Sequence, residues 1–234
     1  MSKKTNRILS IATGLIVTIA FVLVAGGGAE SESVAPNQDE QKQTQPRQAA
    51  NPENAETAVL AGGCFWGVEA VFERLHGVID VQSGYSGGDE STASYYTVTS
   101  GRTGHAESVE IVYDPEVIDY EVLLDVFFSV AHDPTQLNYQ GPDHGPQYRS
   151  AIFFSNPEQE RVAKEFIEKL EDEGSFRDPI VTEVAELDAF YPAEDYHQDF
   201  MERNPSHPYI VYWDIPKIDH LEKTFPELLA DQND

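Results

Sequence analysis

The sequence from about residue 57 onward predicts an α+β fold, in which helices pack over a mixed β-sheet. Three observations support this prediction. Short apolar or alternating segments, typical of strands, are interleaved with segments of helical periodicity. Glycine, proline and aspartate mark the boundaries between these segments. The 234 residues are 40% hydrophobic and 11% aromatic, which is enough for one ordinary domain with a substantial core.

The first predicted elements are a strand, a helix and a second strand. Residues 58–61 form a short apolar run that is typical of a buried strand. Apolar residues recur at helical spacing over residues 65–75, and Gly77 ends that helix. Residues 78–85 form the next predicted strand. Cys64 is therefore expected at a strand-to-helix turn, next to the helix N-terminus.

The remaining elements follow from the same patterns, and the connections between some of them are long. We predict strands over residues 107–113, 149–154 and 181–187, and helices over residues 119–130 and 157–172 and shortly after Pro192. Asn156 or Ser155 caps the helix that begins at Pro157. The connections over residues 85–105 and 132–148 are long, and long loops in compact domains tend to be functional.

The N-terminal segment has the layout of an export signal. Lys3, Lys4 and Arg7 precede an apolar run over residues 8–27, and small residues follow it. A run of this length is also sufficient to span a bilayer, with the basic residues on the cytoplasmic side. We predict that residues 1–29 are a signal peptide or an N-terminal membrane anchor, with a buried core helix as the alternative. The rest of the chain would then be exported.

Residues 30–56 are polar, rich in Gln, Asn, Glu and Pro, and almost free of large apolar side chains. Such a segment cannot bury enough surface to offset the entropy lost on ordering. We predict a disordered, flexible linker here, followed by the functional domain over residues 57–234.

The chain carries 15 basic and 41 acidic residues, a formal net charge of −26. Binding of nucleic acid requires clustered Lys and Arg, so this composition argues against a nucleic-acid partner. The acidic surface favours solubility, including in a salty medium where charge repulsion is screened. A dedicated cationic partner is the alternative.

Cys64 is the single cysteine, so no internal disulfide contributes to the fold. A lone cysteine is either a small buried hydrophobe or a reactive thiol. A position next to a helix N-terminus favours the thiolate, since unpaired backbone N–H groups and the helix dipole face it. Phe65 and Trp66 place aromatic surface beside the sulfur. These neighbours favour an ionised nucleophile next to an apolar pocket.

The string Gly63-Cys64-Phe65-Trp66-Gly67 resembles the signature of the A-type methionine sulfoxide reductases. Further similar motifs follow in the order of that family, over roughly residues 59–208. They are Gly84-Tyr85-Ser86-Gly87-Gly88, Thr103-Gly104-His105-Ala106-Glu107, His132-Asp133-Pro134-Thr135, Asp143-His144-Gly145, Gln147-Tyr148-Arg149-Ser150 and Ala193-Glu194-Asp195-Tyr196-His197-Gln198.

The resemblance implies a ferredoxin-like two-layer sandwich and the reduction of methionine S-sulfoxide, free or within proteins. It implies that Cys64 attacks the sulfoxide sulfur and that Phe65 and Trp66 hold the substrate methyl group. Glu107 is expected to supply a proton to the sulfoxide oxygen. That sulfur is electrophilic only once its oxygen is protonated or strongly hydrogen-bonded, and a buried carboxylic acid keeps its proton near neutral pH.

The resemblance also implies a set of groups around that oxygen. Tyr95, chosen over its neighbour Tyr96, and Tyr148 are expected to donate hydrogen bonds to it. Asp143 is expected to support this network and His144 to contact substrate. Taken alone, these tyrosines would be core or rim aromatics, and Glu107 would be one more surface carboxylate.

The sequence differs from many members of that family in its C-terminal part, which contains no cysteine to resolve a sulfenic acid. We therefore expect an external thiol reductant to reduce the oxidised Cys64. Separately, we expect no bound cofactor and no metal. A thioredoxin-like protein is favoured because its dithiol suits thiol–disulfide exchange; glutaredoxin or a small thiol is the alternative. For an exported domain that reductant must also be outside the cytoplasm. We expect a monomer, with membrane contact only through residues 8–27.

Three other functions compete with this hypothesis. His105-Ala106-Glu107 resembles the H-x-E of zinc deaminases, but the P-C-x-x-C that accompanies it needs two cysteines. Cys64 with His144 or His197 is a possible Cys–His pair of a cysteine hydrolase. A tethered binding module would use Phe65 and Trp66 as an adhesive patch.

Overall fold

The structure is a computed structural model and describes residues 48–230. The predicted export segment, residues 1–29, and most of the predicted linker lie outside the described residues. Within residues 48–230, no helix has both the length and the apolar character needed to cross a membrane.

The end of the predicted linker is already part of the folded domain. Residues Pro52–Asn54 form a 3-10 helix whose cap, Asn51, accepts a hydrogen bond from the backbone of Glu53. The backbone N–H of Asn51 donates to Asp114 at 2.7 Å, and the Asn54 amide donates to Glu116 at 2.9 Å. The fold therefore begins before the predicted boundary at residue 57, because these polar groups find partners on the turn after a central strand.

The α+β prediction is confirmed. Within the described residues, six strands form one sheet in the order β7-β6-β1-β3-β2-β8, and β4 and β5 form a separate hairpin. The strands are β1 (Glu56–Gly62), β2 (Val78–Ser86), β3 (Ala106–Tyr113), β4 (Tyr139–Gln140), β5 (Asp143–His144), β6 (Ser150–Phe154), β7 (Glu183–Glu186) and β8 (Phe190–Pro192). The helices are α1 (Phe65–Phe72), α2 (Tyr95–Val98), α3 (Tyr120–Val126), α4 (Pro157–Asp172), α5 (Phe200–Arg203) and α6 (Ile215–Thr224).

The central part of the sheet has the expected ferredoxin-like topology. The chain order β1-α1-β2-β3-α3-β6 gives the spatial order β6-β1-β3-β2 with every neighbouring pair antiparallel, which is the β-α-β-β-α-β pattern. After β6, helix α4 crosses over to β7, which pairs parallel to β6. This single parallel pair makes the sheet mixed.

Strand β1 lies at the centre of the sheet and is buried on both faces. Ala58 and Leu60 belong to the main core, which the sheet shares with α1, α3 and α6. Val59 and Ala61 point to the opposite face, as alternation along a strand requires, and join a smaller cluster with Phe153. Because β1 is held from both sides, the position of Cys64 immediately after it is fixed.

Several predicted elements differ in extent from those observed. The helix predicted over residues 119–130 is α3 continued by a π-helical turn, Phe127–Ala131. The strand predicted over residues 181–187 is the shorter β7. The helix expected after Pro192 begins only at Phe200, because Gln198 instead bonds the backbone of Ala193 and of Ser83. The short elements α2, β4, β5 and β8, and the C-terminal helix α6, were not predicted.

Candidate active site

Cys64 lies where predicted, between β1 and α1, and is the N-cap residue of α1. Its neighbour Gly63 has a φ of 97°, a conformation that favours glycine, and a Cβ there would lie 2.6 Å from the side chain of Gln140. The side chain of Cys64 is 8% exposed. The thiol is therefore almost completely buried, and it lies at a turn whose backbone packs tightly against Gln140.

The expectation that Cys64 is ionised by its helix N-terminus is wrong for the free protein. Burial raises the pKa of Cys64 well above its usual value, and the carboxyl groups of Glu107 and Asp214 raise it further. The backbone N–H of Trp66, at the helix N-terminus, and the Lys217 ammonium lower this pKa, but burial outweighs them. The resting residue is a neutral thiol.

Glu107 is a buried carboxylic acid next to Cys64. It lies on β3, is 2% exposed, and accepts a hydrogen bond from the backbone N–H of Phe65 at 3.2 Å. Burial raises the pKa of Glu107 to about 8, the Phe65 bond lowers it, and the charge of Asp143 raises it. At neutral pH the group therefore keeps its proton, and its hydrogen-bond donor, Phe65, is the residue that follows Cys64 in the chain.

Tyr95 is in the site, whereas Tyr96 is not. Tyr95 begins α2 and is partly buried, and its backbone N–H donates to Glu194 at 3.0 Å. Burial, followed by the charges of Glu107 and Cys64, raises the pKa of Tyr95 to about 12. Tyr96 is 91% exposed. The hydroxyl of Tyr95 thus stays protonated, and it interacts electrostatically with Glu107 and Cys64.

Tyr148 and Asp143 belong to the same cluster. Burial raises the pKa of Tyr148, and the charges of Glu107, Asp143 and Cys64 raise it further. Asp143 accepts a hydrogen bond from the hydroxyl of Tyr209. The site therefore brings together one thiol, two carboxyl groups and three phenols whose protons stay bound.

Aromatic rings form the apolar side of the site. The Trp66 ring stacks on Phe200, with centroids 3.7 Å apart and planes 8° apart, and its Nε1–H donates to Nδ1 of His197 at 3.1 Å. Tyr209 packs edge-on against Trp66 at 5.8 Å. The ring of Phe65 is buried, 5.1 Å from that of His197. The indole is thus fixed in one orientation by stacking and by a hydrogen bond.

His144 lies apart from this arrangement. It is exposed, and its ring stacks on Tyr139 across the β4–β5 hairpin, with centroids 5.4 Å apart. Consecutive strand residues point to opposite faces, so His144 is directed to the other side of β5 from Asp143. Its contact with substrate stays a prediction.

Sequence reasoning gave no role to several residues that build the site. Glu194 accepts hydrogen bonds from the Tyr85 hydroxyl and from the backbone of Tyr95, both at 3.0 Å. Tyr209 and Asp214 come from the C-terminal part of the chain, which was noted only for its lack of cysteine. The available signal was the aromatic-rich segment Tyr209-Ile210-Val211-Tyr212-Trp213, because the residues that follow Cys64, Phe65 and Trp66, are also aromatic.

The rival chemistries find no support in this geometry. No group of three or more His, Cys, Asp or Glu among residues 48–230 is arranged to hold a metal ion. His105 is buried, with Nε2 3.1 Å from the carbonyl of Asp89. Nδ1 of His197 is already bonded to Trp66, and no hydrogen bond joins His197 or the exposed His144 to Cys64.

Comparisons with known proteins agree with this site. Residues 56–229 match the family model described as peptide methionine sulfoxide reductase. The peptide methionine sulfoxide reductase MsrA 2 of Synechocystis sp. is 57% identical over 178 residues, which cover 76% of this chain and 83% of that protein. MsrA of Natronomonas pharaonis is 50% identical over 171 residues, covering 73% of this chain and 96% of that protein.

Solved structures give the same result. The reduced form of Mxr1 from Saccharomyces cerevisiae is 34% identical, with a TM-score of 0.61 over 68% of this chain and 90% of that one. Methionine sulfoxide reductase A of Corynebacterium diphtheriae is 37% identical, with a TM-score of 0.59 over 70% and 78%. The chain therefore belongs to the peptide methionine sulfoxide reductase family and is an oxidoreductase that reduces methionine sulfoxide.

Proposed function

We propose that the protein reduces the S epimer of methionine sulfoxide, free or within proteins, with Cys64 as nucleophile and Glu107 as proton donor. The observation that carries this proposal is the carboxyl group of Glu107, which is buried, accepts a hydrogen bond from the backbone of Phe65 and has a pKa that burial raises to about 8. An acid that keeps its proton near neutral pH is the group that sulfoxide activation requires.

The two sides of the site explain why one epimer is preferred. The methyl group of the substrate packs against Phe65 and Trp66, and the sulfoxide oxygen faces Glu107 and the tyrosine hydroxyls. A sulfoxide sulfur is a chiral centre with a methyl group, an oxygen, the side-chain methylene and a lone pair. When the methyl group and the oxygen are both fixed, only one hand also directs the methylene out of the site. The preference for the S hand comes from the resemblance to the family.

The first half-reaction transfers one oxygen atom. Glu107 protonates the sulfoxide oxygen, and hydrogen bonds from Tyr95 and Tyr148 stabilise the charge that develops there. As the Cys64 thiol loses its proton, its sulfur attacks the activated sulfoxide. The net change breaks the substrate S–O bond, forms a sulfenic acid at Cys64 and returns the proton to Glu107. Cys64 is oxidised by two electrons and the sulfoxide is reduced by two, giving methionine.

The second half-reaction requires a thiol from outside the chain, because Cys64 is the single cysteine. A dithiol protein of the thioredoxin type attacks the sulfenic acid, releases water and forms a mixed disulfide. Its second thiol then displaces Cys64 as a free thiol, leaving the disulfide on the reductant. Steady-state turnover should therefore be faster with a thioredoxin system than with glutathione at the same thiol concentration.

Trapping of the sulfenic acid tests the first half-reaction. Protein mixed with methionine S-sulfoxide and dimedone, without reductant, should gain one dimedone adduct on Cys64 in an intact-mass measurement. The matched control is Cys64→Ser, which should gain none. An unmodified wild-type protein that nevertheless forms methionine would show that the oxygen does not pass to Cys64.

We also propose that residues 1–29 export the domain and that the residues between 30 and the start of the fold at about residue 51 tether it to the membrane or are released with it. Support comes from Lys3, Lys4 and Arg7 ahead of the apolar run over residues 8–27. Cell fractionation of the full chain should place it in the membrane or outside the cytoplasm. Recovery of the full-length chain in the cytoplasm would contradict this proposal.

A further inference from the structure

Asp214 is a fully buried carboxyl group with no place in the chemistry described above. It ends a π-helical turn, Ile210–Asp214, that leads into α6 and packs against α1. Its side chain is 0% exposed, and within the described residues its oxygens have no partner except the Lys217 ammonium, 3.4 Å from Oδ1. A buried charge is costly unless it is paired, so the position of Lys217 is tied to that of Asp214.

This ion pair lies directly against the first turn of α1. A Cβ atom built on Gly67 would lie 2.1 Å from Oδ1 of Asp214 and 2.9 Å from Nζ of Lys217. Gly67, the final glycine of the motif that begins at Gly63, has no Cβ, and this allows both charged groups to contact the first turn of α1. Cys64 is the N-cap of the same helix, three residues before Gly67.

Apart from Lys217, the ionisable groups around Cys64 are carboxyl groups and phenols, which are negative when ionised. Two carboxyl groups, Glu107 on β3 and Asp214 on the C-terminal segment, interact electrostatically with Cys64, as does the ammonium of Lys217. Three phenols also interact with it: Tyr95 on α2, Tyr148 before β6 and Tyr209 before the π-helical turn. Asp143 on β5 interacts in turn with Glu107 and with these tyrosines. Lys217 is the cation that acts on Cys64, and it also acts on Asp143 and Asp214.

We propose that Lys217, anchored by Asp214 against α1, is a positioning residue whose ammonium stabilises the thiolate that forms at Cys64 when the thiol gives up its proton. Lys217 opposes the two carboxyl groups that disfavour this thiolate. The inference rests on the proposed function only in taking the thiolate as the nucleophile.

Alkylation of Cys64 by iodoacetamide across a pH series, without sulfoxide, tests this inference. The single cysteine allows the reaction to be followed by intact mass. Lys217→Met should raise the pH midpoint of alkylation by on the order of one unit, the size of effect that a nearby opposite charge produces. Below both midpoints, alkylation should then be about tenfold slower, because only the thiolate reacts.

Two matched variants separate charge from structure. Lys217→Arg keeps the cation and should retain the wild-type midpoint. Asp214→Asn removes a negative charge but leaves a side-chain oxygen that can still accept a hydrogen bond from Lys217, so it should lower the midpoint. A purely structural role would change thermal stability without moving the two midpoints in opposite directions. Where the methionine variant does not fold, Lys217→Gln takes its place.

A midpoint that stays unchanged in the Lys217 variants, or that moves the same way in Asp214→Asn, overturns the inference. This outcome is independent of the proposed function, because the measurement uses no sulfoxide. Wild-type protein that forms methionine while these midpoints fail to shift would refute only the role of Lys217.

Discussion

Helices α1 and α4 pack on the same protein core but are built in opposite ways. Helix α4 has 16 residues, the side chain of its N-cap Asn156 accepts a hydrogen bond from the backbone of Gln159 at 2.9 Å, and Pro157 occupies its first turn. Acidic residues lie in its first turn and Lys169 in its last, which suits the helix dipole. Its polar face carries exposed ion pairs.

Helix α1 has eight residues, and its N-cap Cys64 makes no capping hydrogen bond with its side chain. Its third residue is Gly67, and its fifth, Glu69, is a carboxyl group that is 1% exposed and accepts a hydrogen bond from the backbone of Ser83 at 3.3 Å. Glycine has a low helix propensity, and burial of an acid costs free energy unless it is hydrogen-bonded. Helix α4 thus follows the local rules of helix formation, whereas α1, which begins directly after Cys64, departs from them.

The largest effect should come from Glu107→Gln, because this carboxyl group accepts a hydrogen bond from the backbone N–H of Phe65, the first residue of α1. The change should lower kcat by about 10²- to 10⁴-fold, the usual contribution of a general acid. Glutamine keeps the shape and a hydrogen-bond donor but cannot give up a proton. Thermal stability should change little, since the buried group is neutral in both proteins at pH 7. Steady-state assays with methionine S-sulfoxide and circular dichroism melting measure the two effects.

The pH profile gives the control for that variant. Glu107 is protonated below its raised pKa of about 8, so the wild-type rate should fall as the pH rises through this value. Ionisation of the Cys64 thiol has the opposite sign, because it increases the nucleophile at higher pH. The alkaline fall should be absent from Glu107→Gln. Its persistence in the variant would assign the proton donor to another group.

Gly67→Ala should produce the next largest effect. In an exposed helix this change is favourable by about 1 kcal/mol. Here the new Cβ would lie 2.1 Å from Oδ1 of Asp214, so overpacking should dominate and lower the free energy of unfolding by about 1–3 kcal/mol. Denaturant titration measures this loss. A more stable variant would show that the carboxyl group moves aside at little cost.

A double-mutant cycle identifies the cause of that loss. Asp214→Ala removes the group that Gly67→Ala would strike, so the two changes together should cost less than the sum of the separate effects. Purely additive values would place the strain elsewhere in the first turn of α1.

The local elements of the fold were predictable because their signals lie within single segments. The periodicity of α4, with Pro157 and its cap, predicted its bounds, and the apolar run of β1 predicted the position of Cys64. The hairpin β4–β5 and the short helix α2 were missed, because two to four residues carry too little pattern.

The protonation of the site was not predictable in the same way. The sequence placed Cys64 at a helix N-terminus, and that local feature favours a thiolate. The neutral thiol instead results from burial and from Glu107 and Asp214, which lie 43 and 150 positions along the chain. Tyr209 reaches Asp143 for the same reason, through a tertiary contact that no local pattern records.

The smallest effect should come from the conventional helix. Asn156→Ala removes the side-chain acceptor of the Gln159 backbone N–H and should lower the free energy of unfolding by about 1 kcal/mol, the usual value of an N-cap. Asn156→Asp, which keeps an acceptor at a helix N-terminus, should restore most of this stability. Because α4 crosses from β6 to β7 and carries none of the residues around Cys64, kcat should not change in either variant. A loss of activity that exceeds the loss of folded protein would mean that α4 also supports the site, and the contrast between the two helices would then be one of degree.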